Sequence, residues 1–289
     1  MSMPPPGSGH TNAEEEGITE PEQKNSDHYK NKHIKKLSHL PWRLLYLSVY
    51  STQTTKSCQG YFLAVLYIIG TPIGNLGDIS FRAVEILKKA DLVACEDTRQ
   101  TLKLLSHLGI RVPMLSCRAQ NEEAAARKIT SLLDEGKTIA YASDAGTPAL
   151  SDPGAILVRK AIEAGHEVVP IPGPSAFASL LSVSGGLDKT VVFEGFLSPK
   201  PGRRRKRLKE LLETRYAFVL YESPFRVLKL FEDLTDLDSS RYVCVGREMT
   251  KVHEEFLRGS AGEILEILRK KDEKSGIMGE FSVFISGKK

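Results

Sequence analysis

The sequence is poor in the residue patterns that build metal and redox sites. It has only 4 cysteines among 289 residues, and no two of them form a Cys-x-x-Cys pair. The histidines after residue 62 have no His-x-x-x-His spacing. A zinc ribbon, a dithiol redox motif and a helical metal site therefore have no support. Scattered single cysteines are typical of a reducing compartment, so we predict a cytoplasmic protein without a bound metal.

Long apolar runs are also missing. No segment reaches the roughly 20 apolar residues that a membrane helix requires. A basic stretch at 30–36 precedes a fairly apolar stretch at 37–50, but Pro41 and Arg43 interrupt the second one. The acidic triplet at 14–16 does not suit a transit peptide. We therefore expect neither a membrane span nor export, and the composition, 41% hydrophobic and 26% charged, is that of an ordinary soluble protein.

The first 62 residues differ in composition from the remainder. They contain Pro4-Pro5-Pro6, Gly7-Ser8-Gly9 and mixed polar stretches, and they show no alternation of strands and helices. Such segments bury too little apolar surface to fold. We predict that residues 1–62 are a disordered extension, either a flexible tail or translated sequence upstream of a natural start.

From Ala64 onward, short apolar runs alternate with helical patterns. The run Ala64–Ile69 is continuous, as in a parallel strand that is buried on both faces. Alternation of this kind indicates βαβ units. We predict an α/β protein with an N-terminal domain at 63–187, built on a mostly parallel sheet. A C-terminal α/β domain with a mixed sheet follows at 188–289.

Three loops in the N-terminal domain share one chemistry. They are Gly70–Asp78, Ser143–Pro148 and Pro172–Ala176, each placed between an apolar run and a helical pattern. Ligands of open α/β sheets bind outside the carboxyl ends of the strands. Glycine, proline and small hydroxyl residues let a backbone approach a ligand closely. Any one loop alone reads equally well as a tight turn, but the three together predict one shared ligand site.

The usual phosphate-binding motifs are absent from these loops. No Gly-x-x-x-x-Gly-Lys-Ser/Thr motif occurs, and the spacing of Gly70, Gly74 and Gly77 does not match Gly-x-Gly-x-x-Gly. Backbone N–H groups ahead of helix N-termini still suit a carboxylate or another polar ligand. Asp144 is placed to accept hydrogen bonds from a ligand amine or from ribose hydroxyls. The loops therefore predict a polar ligand that is not bound through a standard pyrophosphate site.

Six motifs in a fixed order carry a resemblance to a known family. They are Gly70–Asp78, Glu96–Arg99, Ser143–Pro148, Pro172–Ser175, Tyr221–Ser223 and Arg247–Lys251. Between about Leu66 and Gly287 the chain resembles the tetrapyrrole methylase superfamily, in its branch that acts on ribosomal RNA. Members of that branch 2′-O-methylate a cytidine ribose in the decoding region of 16S rRNA. Corrin and porphyrin methylases often have Gly-Asp-Pro where this chain has Ser143-Asp144-Ala145, which favours the RNA branch.

The resemblance implies S-adenosylmethionine as cofactor, a cofactor cleft between two α/β domains, and a homodimer. It also implies cofactor-binding positions on the matching loops and on the strand that ends with Glu222. These positions are Pro72, Ile73, Gly74, Ser143, Asp144, Ala145, Gly146, Thr147, Ser175, Ala176 and Tyr221.

Several charged residues are candidates for the chemistry. A ribose hydroxyl is a weak acid, so a general base would assist its attack on a methyl group. Glu96, Asp97 and Glu222 are candidates because each follows an apolar strand, and Arg99 has the donors to hold a phosphate or the substrate ribose region. The alternative is that Glu96–Arg99 forms a helix cap at Thr98 with an internal Asp–Arg pair.

A basic run opens the predicted helix Arg203–Leu212 and indicates RNA binding. Cations at a helix N-terminus oppose the helix dipole, whereas a phosphate ligand gains from both the cations and the free N–H groups. The candidate RNA-binding residues are Arg203, Arg204, Arg205, Lys206 and Arg207. The alternative is a solvated charged surface. Two other functions stay open: a small-molecule methylase of the same fold, and an RNA-binding protein without catalysis.

Overall fold

Two five-stranded sheets form the part of the protein that the computed structural model describes, residues 64–288. The predicted disordered extension lies outside the described residues. Both sheets belong to one compact unit. The division of this unit into domains at residue 188 stays a prediction. Among the described residues, no helix has the length and apolar character needed to cross a membrane.

The first sheet is entirely parallel, with the strand order β3-β2-β4-β1-β5. Its strands are β1 Val65–Ile69, β2 Leu92–Cys95, β3 Met114–Ser116, β4 Ile139–Ala142 and β5 Glu167–Ile171. The helices are α1 Phe81–Lys89, α2 Thr98–His107, α3 Glu122–Asp134, α4 Ala155–Glu163 and α5 Ala176–Ser184. On β4, Ala140 and Tyr141 belong to apolar clusters on opposite faces of the sheet. Burial on both faces explains the continuous apolar runs of the sequence.

The second sheet is mixed, with the strand order β6-β7-β10-β8-β9. Its strands are β6 Val191–Phe196, β7 Ala217–Glu222, β8 Tyr242–Arg247, β9 Glu255–Ser260 and β10 Phe281–Ile285. Only β6 and β7 pair in parallel, and the other pairs are antiparallel. The helices α6 Pro201–Glu213, α7 Val227–Asp238 and α8 Ala261–Ser275 complete this part. The α/β class with one parallel and one mixed sheet is confirmed.

The central strands of the first sheet bring the three predicted loops together. β1 lies between β4 and β5, and all three run in the same direction. Their carboxyl ends therefore meet at one edge of the sheet. The loops Gly70–Asp78, Ser143–Pro148 and Pro172–Ala176 start at these three ends, which is the position that α/β proteins use for ligands.

Helix starts differ from their sequence patterns at three places. The Asp152-Pro153 pair predicts the start of α4, but the N-cap is Gly154, with a φ of 131°. Glu122 of α3 supplies the missing cap, because its Oε1 accepts hydrogen bonds from the N–H groups of Gly154 and Ile156, both at 2.9 Å. The cap of α2 is Asp97 rather than Thr98. Helix α7 starts at Val227, after the Ser223-Pro224 turn. Local sequence cannot reveal a cap that comes from another helix.

Candidate functional site

The three loops of the first sheet are in direct contact. Thr71 and Gly146 form a two-way backbone bridge, with N–O distances of 2.9 and 3.0 Å. A Cβ atom on Gly70 would lie 2.8 Å from the Cα atom of Gly173, so the two backbones touch. The Thr147 hydroxyl donates to the carbonyl of Pro174 at 3.4 Å. The loops therefore form one continuous surface, as the sequence predicts.

A cavity of about 400 Å³ lies against this surface. Both halves of the unit contribute to it: the loops on one side, and the ends of β6, β7 and β10 on the other. Its size falls within the usual range for small-molecule sites, about 300–1,000 Å³. The lining includes Ile73, Ala145, Gly146, Thr147, Leu150, Ser151, Asp152, Ser175, Ala176, Phe196, Tyr221, Glu222, Ser223, Pro224, Glu280, Phe281 and Ser282.

Seven of the eleven cofactor positions implied by the sequence line this cavity. They are Ile73, Ala145, Gly146, Thr147, Ser175, Ala176 and Tyr221. The other four lie outside the lining, and three of them, Gly74, Ser143 and Asp144, make contacts that position the loops. Pro72 lies between Thr71 and the lining residue Ile73, and Gly74 packs so closely on Lys251 that a Cβ would lie 2.5 Å from its Cγ. The Ser143 carbonyl accepts from the Thr71 hydroxyl at 3.1 Å, and Asp144 Oδ1 accepts from the Asp97 N–H at 2.9 Å.

The charged side chains of the cavity are all acidic. Asp152, Glu222 and Glu280 line it, and none of the described lining residues is lysine or arginine. Glu222 is the most enclosed of the three, with 1% of its side chain exposed. Its Oε1 accepts from Arg226 Nη2 at 2.6 Å and from the Ser223 N–H at 2.8 Å. Its Oε2 is buried and has no hydrogen-bond partner among the described residues. The cavity thus offers a ligand one buried oxygen, Glu222 Oε2, that has no hydrogen-bond donor among the described residues.

Asp152 is a cavity residue that the sequence pattern assigned to a helix cap. Because Glu122 caps α4, the Asp152 carboxylate is free to face the cavity. Burial raises the pKa of this carboxyl, the Ser143 hydroxyl lowers it, and the nearby Asp144 raises it. A carboxylate with a raised pKa beside a ligand cavity is a typical general base. The Asp-Pro pair is typical of a helix start, and no other signal in the sequence places Asp152 in the cavity.

Three of the four predicted catalytic residues lie outside the cavity lining. Asp97 caps α2, and Arg99 binds its carboxylate through Nη2 at 2.6 Å, with 83% of the Arg99 side chain exposed. This guanidinium holds the pKa of Asp97 well below its usual range. Burial raises the pKa of Glu96, and the charges of Asp144 and Asp152 add to that effect. Of the four, the structure brings only Glu222 into the cavity.

Two aromatic residues of the cavity lining, Tyr221 and Phe196, belong to a row of four packed rings. Phe177 contacts Phe193 edge to face with a centroid distance of 5.2 Å, Phe193 contacts Tyr221 at 5.1 Å, and Tyr221 contacts Phe196 at 5.8 Å. Burial raises the pKa of Tyr221 to about 12, so its phenol is neutral at physiological pH. Edge-to-face pairs fix ring orientation, and the row therefore gives the cavity a rigid apolar side.

A comparison with protein families matches the description Tetrapyrrole (Corrin/Porphyrin) Methylases to residues 65–265. A protein of Borrelia garinii subsp. bavariensis named ribosomal RNA small subunit methyltransferase I is 45% identical over 77% of this chain and 98% of its own length. A protein of Thermotoga maritima with the same name is 44% identical over the same shares. The chain belongs to the tetrapyrrole methylase family, in the ribosomal RNA small subunit methyltransferase I group.

Solved structures of tetrapyrrole methylases share this fold. Uroporphyrin-III-C-methyltransferase from Thermus thermophilus aligns with a TM-score of 0.55 and 16% identity, over 77% of this chain and 94% of that one. A cobalt precorrin-4 methyltransferase aligns with the same score and coverage at 18% identity. At such low identities the likeness establishes the fold alone. In this tetrapyrrole methylase, the described residues include no group of three or more His, Cys, Asp or Glu side chains that could hold a metal.

The basic run of α6 divides into paired and unpaired residues. Arg204 has 6% of its side chain exposed and binds Asp233 at 2.8 Å. Arg205 binds Asp233 at 3.3 Å and Asp236 at 3.0 Å. Arg207 binds Glu194 through two nitrogens, at 2.7 and 2.8 Å. Of the five predicted RNA-binding residues, Arg204 is thus buried in an ion pair, and Arg205 and Arg207 are partly neutralised.

Two residues of the run stay available to a ligand. Arg203 and Lys206 are exposed, and neither forms an ion pair with any residue between 64 and 288. They lie on the first two turns of α6, next to the exposed Lys200 at its N-cap. The cationic surface of this family member is therefore smaller than the sequence indicates, and it lies outside the acidic cavity.

Proposed function

We propose that this protein methylates the ribosomal RNA of the small subunit with S-adenosylmethionine, at the 2′-oxygen of a cytidine in the decoding region. The observation that carries this proposal is the acidic cavity formed by three motif loops in a member of the ribosomal RNA small subunit methyltransferase I group. The cytidine target and the homodimer come from the resemblance, and the cytoplasmic location comes from the scattered single cysteines. All three are part of the proposal.

The cavity fits the proposed cofactor in charge and in hydrogen bonding. S-adenosylmethionine supplies a methyl group on a positively charged sulfur, and it carries an ammonium group as well. Arg226 and Lys251 pair with Glu222 and Glu280 from outside the lining, so Asp152 is the cavity carboxylate without a cationic partner among the described residues, and it complements these charges. The buried Oε2 atom of Glu222 has no hydrogen-bond partner among the described residues. A buried acceptor without a hydrogen bond costs free energy, so this atom favours a ligand that donates one. The backbone of Ala145–Thr147 and Ser175–Ala176 adds polar groups on the opposite side.

Different residues of the cavity orient the reactants and remove the proton. Orientation of the attacking oxygen is the largest contribution to such a transfer. Arg226 holds Glu222 in one position, so Glu222 binds and orients rather than accepting the proton. Asp152 has no cationic partner among the described residues and has a raised pKa, so it accepts the proton of the ribose hydroxyl. Glu96 is the second candidate, because its pKa is raised as well.

The surface that binds the RNA phosphates lies outside the cavity. The described cavity lining has no lysine or arginine to bind a phosphate, and the unpaired Asp152 carboxylate disfavours one there. Arg203 and Lys206 on α6 are exposed and lie on the segment that follows β6, whose last residue lines the cavity. Phosphate contacts at these residues would position the RNA without reading its sequence.

Methyl transfer to intact small subunits tests the proposal. The protein is incubated with labelled S-adenosylmethionine and either unmethylated small ribosomal subunits or a precorrin. We expect label in the rRNA, at one cytidine whose 3′ linkage resists alkali, because a methylated 2′-oxygen cannot attack the phosphate. Mass spectrometry of nuclease fragments identifies the nucleotide.

Two results would contradict the proposal in different ways. Label in the precorrin alone would favour a small-molecule methylase of the same fold. Cofactor binding in calorimetry below detection, together with retained rRNA binding, would favour an RNA-binding protein without catalysis.

A further inference from the structure

Two phenylalanines near the cavity are exposed, one in its lining and one in the adjoining turn. Phe196 lines the cavity and has 56% of its surface exposed, and Phe225 has 88% exposed. Both follow directly from strands of the second sheet: Phe196 ends β6, and Phe225 lies in the turn after β7. Most of each residue is exposed, so packing in the protein core does not explain why phenylalanine occupies these two positions.

The parallel pairing of β6 and β7 puts these two residues on the same edge. Phe196 pairs in register with Tyr221, one residue before the end of β7. The guanidinium of Arg226 donates to the carbonyl of Leu197 at 3.4 Å, which joins the turn after β7 to the residue after Phe196. Ser223 and Pro224 of the same turn line the cavity. The turn of Phe225 therefore borders the cavity opening that Phe196 forms.

Both segments are held in place by interactions already described. The Phe196 ring lies edge to face on Tyr221, which is itself packed on Phe193. The turn of Phe225 is fixed by the ion pair between Arg226 and Glu222 at 2.6 Å. A rigid aromatic ring loses little conformational entropy when it binds a ligand, which is the property of a stacking surface.

We propose that Phe196 and Phe225 form a stacking platform for the unpaired base of the nucleotide whose ribose enters the cavity. This inference rests on the proposed function, since it names how that substrate is held. A ribose oxygen that reaches the cavity leaves its own base at the opening. Proteins that bind single-stranded RNA stack unpaired bases on exposed aromatic rings. The exposed cations Lys200 and Arg203, on the segment after Phe196, favour a nucleic acid over an apolar protein partner.

A fluorescent oligonucleotide reports the platform directly. The probe is a single-stranded ten-nucleotide RNA of cytidines with one central pyrrolocytidine, whose emission falls on stacking. We expect the full-length wild-type protein to quench it. Phe225→Leu should weaken the affinity about tenfold, the value of one lost stacking contact. Phe225→Tyr keeps a ring and should stay within about twofold of wild type by the same reasoning.

A matched control comes from the other end of β7. Tyr216 is exposed and lies directly before β7, at the opposite edge of the sheet from Phe225. Tyr216→Ala should leave the quenching unchanged. Equal affinities for the Leu and Tyr variants would overturn the platform. So would a change of oligomeric state in Phe225→Ala by sedimentation, because it would assign the ring to a protein contact.

The same samples separate this inference from the proposed function. Wild-type methylation of small subunits tests the function and does not depend on the variants. If wild-type protein methylates rRNA but the oligonucleotide is quenched equally by all variants, only the platform fails. If wild-type protein methylates no rRNA while ring-dependent quenching persists, the proposed function fails and the platform stands as an RNA-binding surface.

Discussion

Two carboxylates of the cavity have opposite surroundings, and their roles differ accordingly. Glu222 lies beside the guanidinium of Arg226 and accepts a backbone hydrogen bond, so its carboxylate is held in one position. Asp152 lies near Asp144 and is partly buried, so its pKa is raised. Pairs of titratable groups with contrasting environments commonly divide orienting and proton-transfer tasks. We therefore propose that Glu222 orients the ligand and that Asp152 accepts the proton.

Replacing the proposed base tests this division at a single residue. Asp152→Asn keeps the size of the side chain and removes its ability to accept a proton. We expect methyl transfer to fall by about 10²–10⁴-fold, the usual contribution of a general base. Cofactor affinity in calorimetry should change little. Glu96→Gln tests the second candidate in the same assay, and because Glu96 lies outside the cavity lining we expect it to cost much less activity.

The pH dependence of the same variant has a defined sign. A base works when deprotonated, so wild-type activity should rise with pH through the raised pKa of Asp152, and Asp152→Asn should lose that rise. Because the folded-state pKa lies above the unfolded value, ionisation destabilises the folded protein as pH rises between the two values. Asp152→Asn should therefore melt no lower than wild type at pH 7. A large drop in melting temperature would show that Asp152 is structural.

At the scale of elements, the basic run of α6 places one arginine in a buried ion pair and other cations on the exposed surface. Its buried side carries Leu208, which belongs to the apolar cluster of the second sheet, and Arg204, which joins α6 to Asp233 of α7. Its exposed side carries Arg203 and Lys206. A buried charge that loses its partner is strongly destabilising. Replacing the whole run at once would therefore confuse loss of folding with loss of RNA binding.

Separate variants of α6 resolve the two effects. Arg203→Ala with Lys206→Ala should leave the melting temperature unchanged and weaken rRNA binding. The slope of log affinity against log salt should fall by about 1.4, for two lost contacts on single-stranded RNA. Arg204→Ala should instead lower the free energy of unfolding by about 1.5–3 kcal/mol, the cost of one lost hydrogen bond to a charged group, because Asp233 keeps Arg205 as a partner. A filter-binding titration and thermal melts measure both. An unchanged salt slope in the double variant would remove α6 from the RNA surface.

The sequence predicts local elements better than it predicts partners between elements. The apolar runs of β1 and β4 locate the parallel sheet, since burial on both faces leaves a continuous pattern. The strands β3 and β9 have no such pattern, and the sequence does not reveal them. Likewise, the cap of α4 by Glu122 and the ion pair of Arg204 join distant segments. For the same reason the sequence pattern placed Asp152 in a cap and Arg204 on the RNA surface.

At the scale of the whole molecule, the site depends on close approaches between segments far apart in sequence. Gly70 touches Gly173 within the first sheet, and Gly74 packs on Lys251 of the second half. Lys251 in turn binds Glu248 and the cavity residue Glu280, both at 2.9 Å. The loop Gly70–Asp78 is thus held from both sides. Its glycines are needed for the approach of backbones rather than for phosphate binding.

A single methyl group at the loop contact tests this dependence. The Cβ atom of Gly173→Ala would lie 2.5 Å from the carbonyl oxygen of Gly70, which belongs to the backbone and cannot turn aside. We expect the free energy of unfolding to fall by about 1–3 kcal/mol, the usual cost of overpacking. Cofactor affinity should fall as well, because the loops that line the cavity are forced apart.

The matched control for this change is Gly202→Ala in α6, where nothing lies within 4 Å of the added atom. Alanine suits a helix better than glycine by up to about 1 kcal/mol, so this variant should be as stable as wild type or more stable, and it should bind the cofactor normally. Chemical denaturation and calorimetry measure the two quantities for both variants. If Gly173→Ala lost stability but kept wild-type cofactor affinity, the contact between Gly70 and Gly173 would support the fold alone, and the cavity would not depend on it.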